Sequence, residues 1–208
     1  NTAVGYQSLF SLNTGGDNVA VGRNALYQLD KGSDSVGIGK NAGYYATGSN
    51  NTFIGSEAGK GGTTSAPYSK GQYNTAVGYK ALNEFTTLGG AVAVGWEAAR
   101  RATSAYGPLA VGNRAMHFLT TGGYNTAVGQ ESMLYNTTGE RNTVVGYHAG
   151  SRFLQYYSTA VGFHAGGYST GSHNTFIGNE AGLGASNSAP YSSGEKNTAV
   201  GSEKVHSS

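Results

Sequence analysis

One five-residue phrase of the form N-T-A-V-G returns along the entire chain, and its spacing limits what the chain can become. Its glycine falls at Gly5, Gly22, Gly39, Gly55, Gly78, Gly95, Gly112, Gly129, Gly146, Gly162, Gly178 and Gly201. Those twelve copies lie 17, 17, 16, 23, 17, 17, 17, 17, 16, 16 and 23 residues apart. The residue before each glycine is always Val or Ile. Two before, it is Ala in eight copies, with Phe53, Phe176, Val144 and Gly37 in the others. Three before, it is Thr or Val, with Leu109 as the exception. A period this short and this sustained marks a stacked repeat, in which each unit buries its apolar side only against its neighbours.

Side chains alternate across a strand, so the Val/Ile and Thr/Val positions share one face and the Ala position takes the other. Neither face carries charge, which reads as a strand buried on both sides. Two residues after the glycine every copy is polar, as at Gln7, Asn24, Glu57, Arg114 and His148. Four after, the copies divide. Leu9, Leu26, Leu82, Ala99, Met116 and Met133 precede a 17-residue step, whereas Gly43, Gly59, Gly150, Gly166 and Gly182 precede a step of 16 or 23. Each repeat is therefore expected to run strand, tight turn, short second strand, turn. Helices are excluded, since 35 glycines in 208 residues would each cost a helix about 1 kcal/mol.

The expected fold is an all-β β-solenoid or β-roll of about 17 residues per rung. Residues 1–208 form a single array of twelve rungs, with loop insertions at about 60–73 and 183–196. A lone roll this thin encloses little, and the Ala side is expected to need a partner. Three rolls around a common axis would cover it, giving a parallel homotrimeric fibre; a single-chain solenoid is the alternative.

Composition removes several functions. Only 12 % of residues are charged and the net charge is +2, so no basic stripe speaks for nucleic acid. There is no cysteine, hence neither a disulfide framework nor a thiolate metal site. No apolar run approaches the roughly 18 residues of a membrane span, so no membrane insertion is expected. The chain opens on Asn1 without an initiator Met, which reads as a processed product or an excerpt.

Repeats such as NTAVGYQSL, NTAVGYKAL and NTAVGQESMLYNTTG resemble those of bacteriophage tail-fibre and related fibre proteins. The AVG core is similar to the head repeats of trimeric autotransporter adhesins. The resemblance covers nearly the whole chain. It implies a homotrimeric shaft or head on a virion, or alternatively on a bacterial cell surface or in an extracellular filament. Its partners would be further copies of itself and a cell-surface glycan or protein receptor.

The duplicated stretch SAPYS, at 65–69 and 188–192, sits in the two 23-residue steps. A seven-residue excursion must leave the coil outward. Pro67, Tyr68, Pro190 and Tyr191 are therefore candidate binding residues, with Trp96 a further exposed aromatic beside Tyr6, Tyr79, Tyr147 and Phe163. His148 and His164 occupy one repeat position on successive rungs and should stack about 5 Å apart, as weak candidates for a metal site or a pH sensor. Glu57, Glu97, Glu131 and Glu180 recur at that same position. They form a ladder rather than the facing pair a glycosidase needs, and a fibre-borne glycan-degrading enzyme remains a remote alternative. No catalytic residue and no cofactor is expected. Regular Thr arrays also occur on ice-binding solenoids, but the Val substitutions at 19, 36 and 92 read as those of a core position. Asn136-Thr137-Thr138 reads as a glycosylation sequon.

Overall fold

A computed structural model describes residues 1–62, 68–152, 156–184 and 193–202. Twelve three-residue strands, from Thr2–Val4 to Thr198–Val200, pair in sequence order into one parallel sheet. Every pairing keeps the repeat register: Ala3 lies beside Ala20, Ala20 beside Gly37, and Phe53 beside Ala76. The chain is an all-β solenoid of about 17 residues per rung.

The expected second strand is not there: among the described residues the only sheet is this one. The segment after the motif glycine is a run of turns, because the second and fourth residues beyond it take left-handed backbone. Gln7, Asn24, Glu57, Arg114 and His148 have φ of 50–59°, and Leu9, Leu26 and Met116 have φ of 49–51°. The turns still bond from rung to rung, as in Leu26 N–H to Ala42 O at 2.8 Å and Asn24 N–H to Tyr6 O at 2.8 Å.

The two strand faces are also the reverse of expectation. Ala20, Ala76, Ala93, Ala110, Ala127 and Ala160 are fully buried inside the coil. The Val/Ile position points outward, and Val21, Ile38, Ile54, Val145 and Val161 are 36–39 % exposed. The physical reason is width. Where the turn sends Ala25, Leu26 and Leu29 inward, the coil is so narrow that only a side chain as small as Ala20 fits on the strand. The β-branched residues are left on the outside.

Two devices fix the stacking. The motif glycines from Gly5 to Gly178 have φ of 127–138°, and a Cβ on Gly22 would stand 2.8 Å from the carbonyl oxygen of Gly39. Only glycine allows each rung to sit on the next there. The second device is a ladder of side-chain acceptors. Ser35 N–H donates to Asn18 Oδ1, Asn51 N–H to Ser35 Oγ, Asn74 N–H to Asn51 Oδ1 and Ala91 N–H to Asn74 Oδ1. It resumes with Asn142 N–H to Asn125 Oδ1 and Ser158 N–H to Asn142 Oδ1. The amide nitrogens tie the strand to the turn before it, as in Asn18 Nδ2 to Gly32 O at 2.9 Å.

Interior volume is exchanged between two positions. Where the inward strand residue is Phe53 or Phe176, the ring fills the space that a side chain on Gly59 or Gly182 would need. At Gly37 and Gly43, neighbouring Leu26 and Phe53 occupy it instead. Truncating Phe53, which is fully buried against Phe85 at 5.6 Å between ring centroids, is expected to destabilise the fold by about 3–5 kcal/mol. Restoring bulk from the other side in Phe53→Ala/Gly59→Leu should recover part of that loss. Leucine is already held at φ of 49–53° in Leu26 and Leu82. Thermal melts of the two variants decide it, and a double variant weaker than the single one would refute the exchange.

Candidate functional site

Three surface features carry the residues singled out from the sequence. The first surrounds Tyr68. Pro67, Pro190 and Tyr191 lie outside the described residues, but the base of the first insertion is visible. Buried Ser69 takes a place in the coil, with its hydroxyl accepting from Gly62 N–H at 3.2 Å and donating to Phe85 O at 2.7 Å. Ser69 also bridges Ala46 on the preceding rung. Ser69 is thus seated in the coil within the stretch 60–73 expected to hold the insertion. Tyr68 stacks on Tyr45 at 6.0 Å and walls an open groove of about 710 Å3. Asn13, Gln28, Asp30, Thr47 and Gln72 line it, with Lys31 and Lys70 beside them. An aromatic wall over amides, a carboxylate and ammonium groups suits a polar ligand with an apolar side.

The second feature is the column two residues after the motif glycine, where left-handed turns present one polar side chain per rung. His148 and His164 stack at 5.1 Å with rings 9° apart, close to the spacing expected from the period. Glu131 bonds His148 Nε2 at 2.7 Å and Arg114 at 2.9 Å. Glu97 approaches His117 Nδ1 at 3.5 Å. Within the column Arg114, Glu131 and His148 form one linked set, whereas Glu97 turns to His117 and Arg100 outside it. Among the described residues no three His, Cys, Asp or Glu side chains converge as a metal would require.

The third feature is the aromatic set. Tyr6, Tyr79, Trp96, Tyr147 and Phe163 are 42–66 % exposed at one edge of the sheet, and Tyr147 stacks on Phe163 at 5.4 Å. A second aromatic column was missed in the sequence: Tyr124, Arg141, Tyr157 and His173, each five residues before a motif glycine. Arg141 lies over both Tyr124, at 5.7 Å, and Tyr157, at 5.3 Å, and Tyr157 stacks on His173. The signal was present, since these positions recur with the period. The Asn of the glycosylation sequon is buried, and Asn136 Oδ1 accepts Gly139 N–H at 2.9 Å. It offers no acceptor for a sugar in the folded chain.

Comparison of the chain with protein-family models, with curated proteins and with solved structures gives no match.

Burial, and then the neighbouring His148, hold the His164 imidazole below its ordinary value of 6.5, against the opposing pull of Glu180. Burial also lowers His117, with Glu97 opposing and Arg114, Arg100 and Arg101 adding to the shift. Both rings therefore accept a proton more readily in the unfolded chain. Their stabilising effect is complete above the unfolded value of about 6.5 and is lost as pH falls below it. The Tm should drop between about pH 7.5 and 5, and His164→Asn should flatten part of that drop. Asn is held at φ of 57° in the same column at Asn24 and Asn41. A native Tm independent of pH across this range would contradict the assignment.

Proposed function

We propose that this chain is the shaft or head of a homotrimeric fibre that mediates attachment, of the kind found in phage tail fibres, with a bacterial surface adhesin as the alternative setting. The outward face of the sheet carries the reading. Its two columns hold 24 side chains, every one Thr, Val, Ile or Leu, without a single charge. At about 4.8 Å per rung the stripe runs for roughly 53 Å. A continuous uncharged, largely apolar strip of that size is rare on a monomer surface and common where proteins meet. The axis of the trimer faces this Thr/Val and Val/Ile side, since the Ala side is already enclosed.

Sedimentation equilibrium should return three times the chain mass of 21.3 kDa. Val128→Lys, in the middle of the outward column, should yield monomers with an unchanged β spectrum, because the substituted side chain projects away from the coil. A native monomer would overturn the fibre reading. Attachment is assigned to the groove beside Tyr68, and Tyr68→Ala should reduce host-cell binding without altering the mass.

One observation favours a second reading. The Thr and Val columns discounted as core positions in the sequence are outward and regularly spaced, which is the arrangement an ice-binding surface needs. Thermal hysteresis from a monomeric protein would select that reading over the fibre.

A further inference from the structure

On several rungs the two edges of the outward face carry complementary side chains. The upstream edge lies five residues before each motif glycine, and the downstream edge lies one residue after it. At the second rung these are Asp17 and Arg23, and at the third Asp34 and Lys40. All four are exposed, and among the described residues none of them enters an ion pair. Acid and base on one rung cannot meet within a chain. Six residues, including a three-residue strand, hold them about 15–20 Å apart.

The match continues where charge gives way to aromatic character. Arg141, held between two tyrosines, shares its rung with Tyr147. On the next rung Tyr157 stands opposite Phe163. Where the downstream edge carries its largest side chain, Trp96, the upstream edge has Gly90, with open space where a Cβ would stand. Cation with anion, guanidinium with ring, ring with ring and large with small thus fall on the same rung.

We infer that parallel copies of this chain join through a head-to-tail seam, in which the upstream edge of one copy packs against the downstream edge of the next at the same rung. The inference rests on the fibre reading and specifies how its subunits meet. Register supports it independently. A shift of one rung in one direction sets Asp17 against Lys40 but Asp34 against Ser56. In the other direction it sets Asp34 against Arg23 but Asp17 against Tyr6. Either shift halves the ion pairs. A closed ring also demands zero shift, because a head-to-tail contact with a rise makes an open helix.

The chain contains no cysteine, so introduced pairs report cleanly. Asp34→Cys/Lys40→Cys should oxidise to covalent trimers on a non-reducing gel, because a disulfide needs Cα atoms within about 7 Å. Asp17→Cys/Ser56→Cys, two rungs out of register, should remain monomeric on the gel. A charge test avoids any strain from cysteine. Lys40→Glu should raise the concentration needed for assembly by about tenfold or more, and Asp34→Lys/Lys40→Glu should return it to near the native value. Lysine is accepted at that edge, as Lys196 shows at φ of 57°. A native trimer that neither cross-links through 34 and 40 nor regains assembly on charge exchange would refute the seam and leave the fibre standing. A native monomer would remove both.

Discussion

Everything in this molecule depends on one rung resting directly on the next at the spacing of a β-sheet. The demand is strictest where the chain turns at the end of each strand. There the backbone of one motif glycine lies under the carbonyl of its neighbour, 2.6 Å from where a Cβ on Gly5 would be. The asparagine ladder extends the same demand into hydrogen bonding, since each acceptor serves the N–H of the rung that follows. The break in the ladder shows how closely sequence follows this constraint. Ala91 has no side-chain acceptor to offer, and the residue in register above it is Pro108, which has no N–H to donate. Between these two rungs acceptor and donor vanish together, and Val92 N–H still reaches Pro108 O at 2.9 Å.

Stacking fixes the rise, but the narrowness of the coil decides which side chains go inside. Buried Ala20, Ala76, Ala110 and Ala127 on the strand are matched by Leu26, Leu82, Met116 and Met133 from the turn, and Phe53 and Phe176 by Gly59 and Gly182. The left-handed turn residues are the cost of this arrangement. Placing Leu26 or Met116 at φ near 50° is unfavourable by about 1–2 kcal/mol each, and it persists because full burial of the side chain offsets it. Rungs with Gly at that position avoid the strain and forgo the packing.

Period and strand position were legible in the sequence because each depends on local chemistry repeated twelve times. The stacking of His148 on His164 followed from the same count. Alternation shows which residues share a face, yet it says nothing of which face the coil closes around. That depends on the rung's width, and width is set by the turns. The turns were misread for a specific reason. Glu57, Lys80 and Arg114 are not residues expected in left-handed backbone, so a polar position looked like the exposed side of a second strand. Asn24, Asn41 and the glycines four residues after the motif carried the correct signal, at positions where Asn and Gly are the ordinary occupants of that conformation.

The inverted faces sharpen the argument about assembly. An interior strip of alanine would have made the outer surface ordinary had the outer positions been Lys, Glu or Gln, as solvated strands usually are. Instead the outward columns obey the rules of a core: β-branched, uncharged and uninterrupted, including at Val145 and Ile177, which are 37 and 41 % exposed. Polar character resumes at the two flanking edges, where Asp17 and Asp34 have complements in Arg23 and Lys40 on the opposite edge of the same rung, and Arg141 and Tyr157 in Tyr147 and Phe163. A surface that is apolar at its centre and selective at its rim has the anatomy of an interface. In this chain that anatomy repeats with the period of the fold itself, so under the proposed assembly the code that sets each rung on the next would also set one chain beside another.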